Sequence, residues 1–334
     1  MPESHTKSQR ERGKWNGLAL GAGSLSRSTI ARSVLVIVCL MSLAGRQYSA
    51  AADSPVQNAG TAGARASSAA ADGPVPAQGE VQELGEVVYV QRGDVELKGD
   101  VFVPAGDGPY PGLLMVHGGA WQRGSKRRFA PTAKGMAGHG FAVLSIDYRL
   151  ASQHKFPAQL EDCRDAVRFM RREAARYKID PKRIAGCGYS AGGHLVCLLA
   201  TEDPTPAETD AQAVSTRLQA VAAGGVPCDF RQLDPDSTFL AYWLGGTRRQ
   251  CPDKYEAASP RAFVSPDDPP MFLYHGQKDW LVPPMSSELM VQSLRESKVP
   301  AELFIVPDAG HREAQFNPQA LDEAARFLKR TLKP

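Results

Sequence analysis

Ser190 stands in a sequence pattern that can make a serine hydroxyl reactive. It is the centre of Gly188-Tyr189-Ser190-Ala191-Gly192, and this G-x-S-x-G spacing is typical of a sharp turn between a strand and a helix. Small residues two positions to either side are needed there because larger side chains would collide. A Gly-rich turn that binds phosphate, or nothing, has the same appearance. The pattern therefore makes Ser190 a candidate nucleophile whose surroundings must supply a base.

A base and an orienting acid follow in the order Ser, Asp, His that such a turn requires. Asp279 comes just after one predicted late strand, and His311 comes just after the next. Two other carboxylates compete for the orienting role, Asp308 and Asp268, but Asp308 is only three residues from His311 and would reach its ring poorly. The remaining histidines are set aside as leader, loop, helix or strand residues: His5, His117, His139, His154, His194 and His275.

Backbone amides that can hold a negative oxygen are predicted in a second glycine-containing segment, His117-Gly118-Gly119-Ala120-Trp121. Glycines after a buried strand let N–H groups turn inward, and two such donors can stabilise the charge on a reacting carbonyl oxygen. The donors would be Gly119 or Ala120, a choice that the sequence leaves open, together with Ala191. His117 is expected to brace this loop rather than to transfer protons.

Aromatic residues supply the candidate walls of a substrate pocket. Trp121, Tyr242, Trp243 and Trp280 can line an acyl or sugar pocket, although large aromatic side chains also serve as ordinary core. No cysteine or histidine spacing resembles a zinc site, so neither a metal nor an organic cofactor is expected. Among the cysteines, Cys228 and Cys251 lie in loop-like sequence and form the best candidate disulfide pair.

The elements that must position these residues alternate between strand and helix. Short, wholly apolar segments such as 113–116 and 141–146 are typical of parallel strands buried on both faces. They are separated by segments with helical spacing, such as 157–177, so we predict an α/β fold with a mostly parallel twisted sheet and helices on both faces. A Gly93-Asp94 turn predicts an antiparallel hairpin at the N-terminal edge. Residues 227–269 lack a clear strand and are a candidate cap segment.

The N-terminal sequence differs from the rest. Residues 1–52 carry seven basic and two acidic residues, an apolar run of about 11 residues from Val34, and small residues before Asp53, which together predict a secretory signal peptide. That run is too short to span a bilayer; a buried helix or an uncleaved anchor is the alternative. Residues 53–83 are predicted to be a flexible linker and 84–334 the catalytic domain. Removing the leader changes the net charge from +3 to −2, which argues against a nucleic-acid partner, and the protein is expected to be secreted or periplasmic.

Five motifs together resemble the α/β-hydrolase superfamily. They are HGGAW at 117–121, DYRLA at 147–151, GYSAGGH at 188–194, HGQKDWLVP at 275–283 and DAGH at 308–311. The closest resemblance is to the esterase and lipase branch that includes hormone-sensitive-lipase-like and bacterial feruloyl-esterase-like enzymes. Ala120 departs from the pattern, because many of these esterases carry a third glycine there. The resemblance implies a serine carboxylester hydrolase that needs no cofactor.

The resemblance covers residues 84–334 and is less specific for substrate. Small-molecule esters, or acetyl and feruloyl esters of polysaccharides, are the expected substrates. An amide hydrolase with the same three residues, such as an arylformamidase or an exopeptidase, is an alternative. The other alternative is a binding module of the same fold that has lost catalysis. The oligomeric state is not indicated by the sequence.

Overall fold

An eight-stranded sheet forms the centre of the described residues, which are 79–151, 153–202 and 214–333 of the computed structural model. The strand order is β1-β2-β4-β3-β5-β6-β7-β8, with β1 and β2 antiparallel to their neighbours and the others parallel. The strands are β1 Val81–Arg92, β2 Val95–Pro104, β3 Tyr110–Val116, β4 Ala142–Ile146, β5 Ile179–Tyr189, β6 Ala220–Gly224, β7 Met271–Gly276 and β8 Ala301–Val306. The predicted fold class, with its antiparallel N-terminal edge, is confirmed.

Helices cover both faces of this sheet. They are α1 Lys126–Gly138, α2 Ala158–Arg172, α3 Ala191–Thr201, α4 Ala241–Leu244, α5 Pro252–Ala257, α6 Met285–Glu296, α7 His311–Gln315 and α8 Pro318–Thr331. Buried side chains of α2, α3 and α6 pack on one face, and those of α1, α7 and α8 pack on the other. Alternate residues of β3 enter the two cores: Leu114 faces the first and Leu113 the second. Burial on both faces explains the wholly apolar strands.

The hairpin begins earlier than the sequence suggests. β1 starts at Val81, inside the range 53–83 that was expected to be linker, and pairs with β2 as far as Arg92 opposite Val95. The predicted signal peptide and the linker up to residue 78 lie outside the described residues. Among the residues that are described, we find no helix with the length and apolar character needed to cross a membrane.

The first helix also starts earlier than its sequence pattern predicts. The pattern indicates a helix near residues 131–139, whereas α1 begins at Lys126. The Asp147 carboxylate, 21 residues away, accepts a hydrogen bond of 2.7 Å from the Lys126 amide. The buried Lys126 ammonium is also paired with Asp100 on β2 and Glu86 on β1. These long-range contacts fix the start of the helix and are invisible in local sequence.

The segment between β6 and β7, which contains the candidate cap, is built from short helices rather than strands. It contains α4, α5 and a 3-10 turn at Pro260–Ala262. The predicted Cys228–Cys251 disulfide is wrong for this structure, because both side chains are free thiols. Cys228 is buried with its Sγ 3.6 Å from Val226 O, whereas Cys251 is half-buried near Thr247 O. Their local sequence looked like loop, but Cys228 belongs to the core.

Candidate active site

Ser190 occupies a strained turn between β5 and α3. Its backbone has φ 54° and ψ −121°, a left-handed φ that a non-glycine residue adopts only when its surroundings enforce it. Its amide donates to Gly224 O at 2.7 Å, and its carbonyl accepts from the His194 amide at 2.8 Å. The side chain is half-buried at the carboxyl end of the parallel strands.

Glycines make this turn sterically possible. A Cβ on Gly188 would lie 2.5 Å from the Gly192 backbone, and a Cβ on Gly192 would lie 2.0 Å from Val116 O. Real Cβ atoms do not come so close to backbone atoms, so both positions require glycine. The spacing of the G-x-S-x-G pattern therefore has a direct steric cause here.

Asp279 and His311 meet although 32 residues separate them. His311 Nδ1 lies 2.6 Å from Asp279 Oδ2. The other oxygen of Asp279, Oδ1, accepts from the amides of Leu281 at 3.0 Å and Val282 at 2.9 Å. Because a carboxylate only accepts, its partner Nδ1 must carry the proton, which leaves His311 Nε2 free to accept one.

A second histidine, which the sequence analysis set aside as a strand residue, contacts the same carboxylate. His275 Nε2 lies 3.2 Å from Asp279 Oδ2 and 2.8 Å from Val282 O, while its Nδ1 lies 2.7 Å from Ser287 Oγ. His275 is wholly buried, as its place inside β7 predicts. The signal that could have identified it is its position four residues before Asp279, on the same strand end.

The carboxylate of Asp279 is held in its charged form. Burial acts to raise its pKa, but hydrogen bonds from His275 and His311, with a further bond from the Val282 amide, outweigh burial and lower the pKa well below the ordinary value. A permanently ionised acid suits a group that orients a histidine.

Tyr189 connects the serine turn to the histidine loop. Its hydroxyl donates to His311 O at 2.6 Å, and its ring centroid lies 5.1 Å from that of His311. Gly225 lies close to both rings, because a Cβ there would come within 2.7 Å of Tyr189 Cζ and 3.0 Å of His311 Cε1. Gly225 follows Gly224, whose carbonyl holds the Ser190 amide. The same two short backbone segments thus border both Ser190 and His311.

The predicted amide donors lie in a loop with unusual backbone angles. Gly119, Ala120 and Trp121 have φ of 126°, 52° and 58°. A Cβ on Gly119 would lie 1.9 Å from Arg123 O, so glycine is required there. Within residues 79–151, 153–202 and 214–333, no hydrogen bond occupies the amides of Gly119, Ala120 or Ala191. These N–H groups are available to an incoming oxygen.

The loop lies directly against the serine turn. A Cβ on Gly118 would be 2.7 Å from Tyr189 O and 3.3 Å from Ser190 Cβ. His117 Nδ1 donates to Gly118 O at 2.8 Å, and its ring stacks on Tyr148 with centroids 4.3 Å apart. Burial lowers the pKa of His117, opposed by its bond to Gly118. A neutral, buried His117 is placed to support the loop, in the role that the sequence suggested for it.

The candidate pocket residues have three different environments. Trp121 is buried and stacks face to face on Trp243, with ring centroids 3.8 Å apart and planes 4° apart, so it packs in the core instead of lining an open pocket. Tyr242 is half-buried, and its hydroxyl donates to Ala120 O at 2.7 Å. Trp280 is 61% exposed, one residue after Asp279. Exposed apolar side chains occur in the connections that follow β6, β7 and β8: Phe239, Trp280, Met285 and Phe316.

Metal ligands are not gathered at this site. The described part of the chain contains no cluster of three or more His, Cys, Asp or Glu side chains that is placed to hold an ion. The arrangement offers a serine hydroxyl on a strained turn, a histidine oriented by an ionised carboxylate, and unoccupied amides beside the serine turn. These are the groups needed for nucleophilic attack on a carbonyl carbon.

Known proteins share this fold and part of this sequence. Esterase LipC of Mycobacterium tuberculosis is 30% identical over 214 residues, which are 61% of this chain and 53% of LipC. The esterase Est2 of Thermogutta terrifontis, solved with propionate bound, is 27% identical with a TM-score of 0.65 over 78% of this chain and 97% of its own. A truncated carbohydrate esterase from gut microbiota shares the fold, with a TM-score of 0.67 and 24% identity over 78% of this chain and 99% of its own.

The fraction of the chain that each match covers decides whether it shows the family of this protein. The chain spans about half the length of the curated relatives that it matches. The BD-FAE family model matches residues 100–294, which is more than half of the chain. The chain therefore belongs to the BD-FAE family and has the α/β-hydrolase fold that its structural relatives share.

Proposed function

We propose that the protein is a serine carboxylester hydrolase in which Ser190, His311 and Asp279 act through an acyl-enzyme. The observation that carries the proposal is the 2.6 Å contact between His311 Nδ1 and Asp279 Oδ2, in a loop tied by Tyr189 to the Ser190 turn. The names of its relatives, esterases LipC and Est2, support the same reaction class.

The reaction follows from the protonation states of these groups. Ser190 Oγ attacks the ester carbonyl carbon while His311 Nε2 accepts the hydroxyl proton. The carbonyl oxygen becomes negative and receives hydrogen bonds from the amides of Ala191 and of Gly119 or Ala120. The C–O bond to the alcohol then breaks, and His311 returns the proton to the leaving alcohol.

Water completes the cycle by the same steps. His311 Nε2 takes a proton from water, the hydroxide oxygen attacks the acyl carbon, and Ser190 Oγ leaves with that proton. Asp279 remains ionised throughout and stabilises the imidazolium that forms twice. Loss of one amide donor would raise the barrier by about 3 kcal/mol.

We further propose acetyl or feruloyl esters of polysaccharides as the substrate class. The propionate bound to Est2 supports a short acyl group. The exposed Trp280 indole, next to Asp279, offers an aromatic face on which a sugar or feruloyl ring can stack. If this is correct, Trp280→Ala raises KM for acetylated xylan more than for p-nitrophenyl acetate; equal changes would remove the sugar-stacking role.

Export is also proposed, on the basis of the N-terminal composition. The basic segment, the apolar run and the small residues before Asp53 are typical of a secretory leader. N-terminal sequencing of protein recovered outside the cytoplasm should begin at Ala51 or Asp53. An intact N-terminus on that material would contradict cleavage.

The central test is replacement of the nucleophile. Ser190→Ala should lower kcat for p-nitrophenyl acetate by at least about 10³-fold and abolish labelling by a fluorophosphonate probe. Ser145→Ala is the matched control, because Ser145 is buried and its hydroxyl has no partner among the described residues. Retention of wild-type hydrolysis by Ser190→Ala would refute the mechanism. Methyl ferulate, acetylated xylan, formylkynurenine and aminoacyl anilides then separate ester from amide cleavage.

A further inference from the structure

The amide-donor loop is held in a conformation that it would not keep alone. Ala120 and Trp121 are consecutive non-glycine residues with φ of 52° and 58°. Such angles are disfavoured for residues with a Cβ and persist only where surrounding contacts impose them. The contacts that impose them are therefore part of the machinery that aims the amides.

Part of that support is local. The amides of Gln122 and Arg123 donate to Gly119 O at 3.2 and 3.1 Å, which closes a tight turn. The Ala151 amide donates to Trp121 O at 2.8 Å. Neither set of bonds reaches the carbonyl between them, that of Ala120.

The Ala120 carbonyl is held from a distant part of the chain. Tyr242 Oη donates to Ala120 O at 2.7 Å, across 122 residues, and no backbone amide of the described residues donates to that oxygen. The next residue, Trp243, stacks on the Trp121 ring at 3.8 Å. Two consecutive residues of α4 thus contact two consecutive residues of the loop, one through a hydrogen bond and one through ring stacking.

Helix α4 is itself fixed to the body of the protein. Trp243 Nε1 donates to Gln159 Oε1 at 2.9 Å, and the Phe156 amide donates to Trp243 O at 3.0 Å. The Lys155 ammonium donates to Tyr242 O. Trp243 is wholly buried. Because α4 is fixed by these contacts, it can hold the loop residues that it contacts in one position.

We infer that Tyr242 is a positioning residue whose hydroxyl fixes the Ala120–Trp121 peptide and thereby aims the Gly119 and Ala120 amides at the reacting oxygen. This inference rests on the proposed function. Without the hydroxyl, the Ala120–Trp121 peptide can rotate towards relaxed backbone angles, which would turn the adjacent amides away. The sequence suggested instead that Tyr242 contacts substrate directly.

The phenol remains a hydrogen-bond donor across the working range. Burial raises the pKa of Tyr242 to about 12, against a small opposing effect of Arg123. The bond to Ala120 O therefore persists at neutral and mildly alkaline pH.

Tyr242→Phe in the full-length protein tests the inference, with Tyr255→Phe as the matched control. Tyr255 lies in the same segment, and its hydroxyl donates to Gly246 O at 3.2 Å without reaching the loop. A misaligned amide donor should reduce kcat less than the complete loss of that donor. We therefore expect Tyr242→Phe to lower kcat by about 10- to 100-fold with KM within twofold. Tyr255→Phe should keep wild-type kcat.

The split between kcat and KM separates the competing roles. A rise in KM at constant kcat would mean a substrate contact, and equal losses in both Phe variants would mean a general effect on the fold; either result overturns the inference. Thermal unfolding of both variants checks that they are folded. If Ser190→Ala is inactive and Tyr242→Phe has wild-type kcat, the inference fails while the proposed function stands. If the wild-type protein hydrolyses no ester, the proposed function itself fails.

Discussion

Replacement of Asp279 by asparagine tests whether this carboxylate orients His311. The carboxylate accepts three hydrogen bonds, at Oδ1 from the amides of Leu281 and Val282 and at Oδ2 from His311, and His275 Nε2 lies 3.2 Å from Oδ2. Asparagine has the same shape but only one accepting oxygen. One side of the site must therefore lose its acceptor.

The structure indicates which side loses it. If the amide oxygen stays with the two backbone amides, the NH₂ group faces His311 Nδ1, which must then accept a hydrogen bond. The ring proton moves to Nε2, so His311 can no longer take the proton of Ser190. The opposite orientation sets the NH₂ group against two backbone N–H donors at 2.9 and 3.0 Å. A histidine in the wrong tautomer costs about 10⁴ in kcat, or about 5.5 kcal/mol of barrier.

The assay is kcat/KM for p-nitrophenyl acetate from pH 5 to 9. Asp308→Asn is the control, because Asp308 lies three residues from His311 but is exposed and pairs with Lys278 at 2.7 Å. We expect Asp279→Asn to lose about 10⁴-fold and Asp308→Asn to stay within about twofold. Activity of Asp279→Asn within tenfold of wild type would refute the assigned orienting acid, and so would a large loss in Asp308→Asn.

Three further outcomes are expected. Because the folded-state pKa of Asp279 lies below its ordinary value, its charge contributes stability above about pH 4 that is lost as the pH falls further, so the difference between wild type and Asp279→Asn in urea unfolding should shrink from pH 6 to pH 3. A constant difference would contradict this. Gly224→Ala places a Cβ 2.2 Å from the buried Tyr274 ring and should lower the free energy of unfolding by about 3 kcal/mol, measured by denaturant titration against wild type. Iodoacetamide should alkylate Cys251 in the native protein and Cys228 only after unfolding, as read by peptide mass spectrometry, since Cys228 is buried and burial raises its pKa to about 12; a Cys228–Cys251 disulfide peptide would be the contrary result.

The sequence was sufficient for the parts of the molecule that depend on local pattern. Alternating strands and helices predicted the mixed sheet, and strand order predicted that residues following two late strands would meet. Asp279 and His311 do meet, at 2.6 Å. Ser190 was identified from its flanking glycines, Gly188 and Gly192, and the structure shows that a Cβ at either position would collide with the backbone.

The remaining features depend on contacts between residues far apart in the chain. The start of α1 is set by Asp147, and the role of Tyr242 is set by a carbonyl 122 residues away. His275 is an exception, because it lies only four residues before Asp279; it looked like an ordinary strand residue, and the turn after β7 brings its ring to that carboxylate. Helices α4, α5 and α7 have six residues or fewer, too short for a periodic pattern to form.

The steric crowding around Ser190 also divides the chain into positions that can and cannot be varied in a laboratory evolution experiment. A Cβ at position 192 would lie 2.0 Å from Val116 O, so most variants with substitutions in the turn would be inactive. The exposed side chains of Phe239, Trp280, Met285 and Phe316 leave room for replacement without disturbing any of the hydrogen bonds described. Diversity placed at those four codons would leave the proposed nucleophile, base and amide donors unchanged.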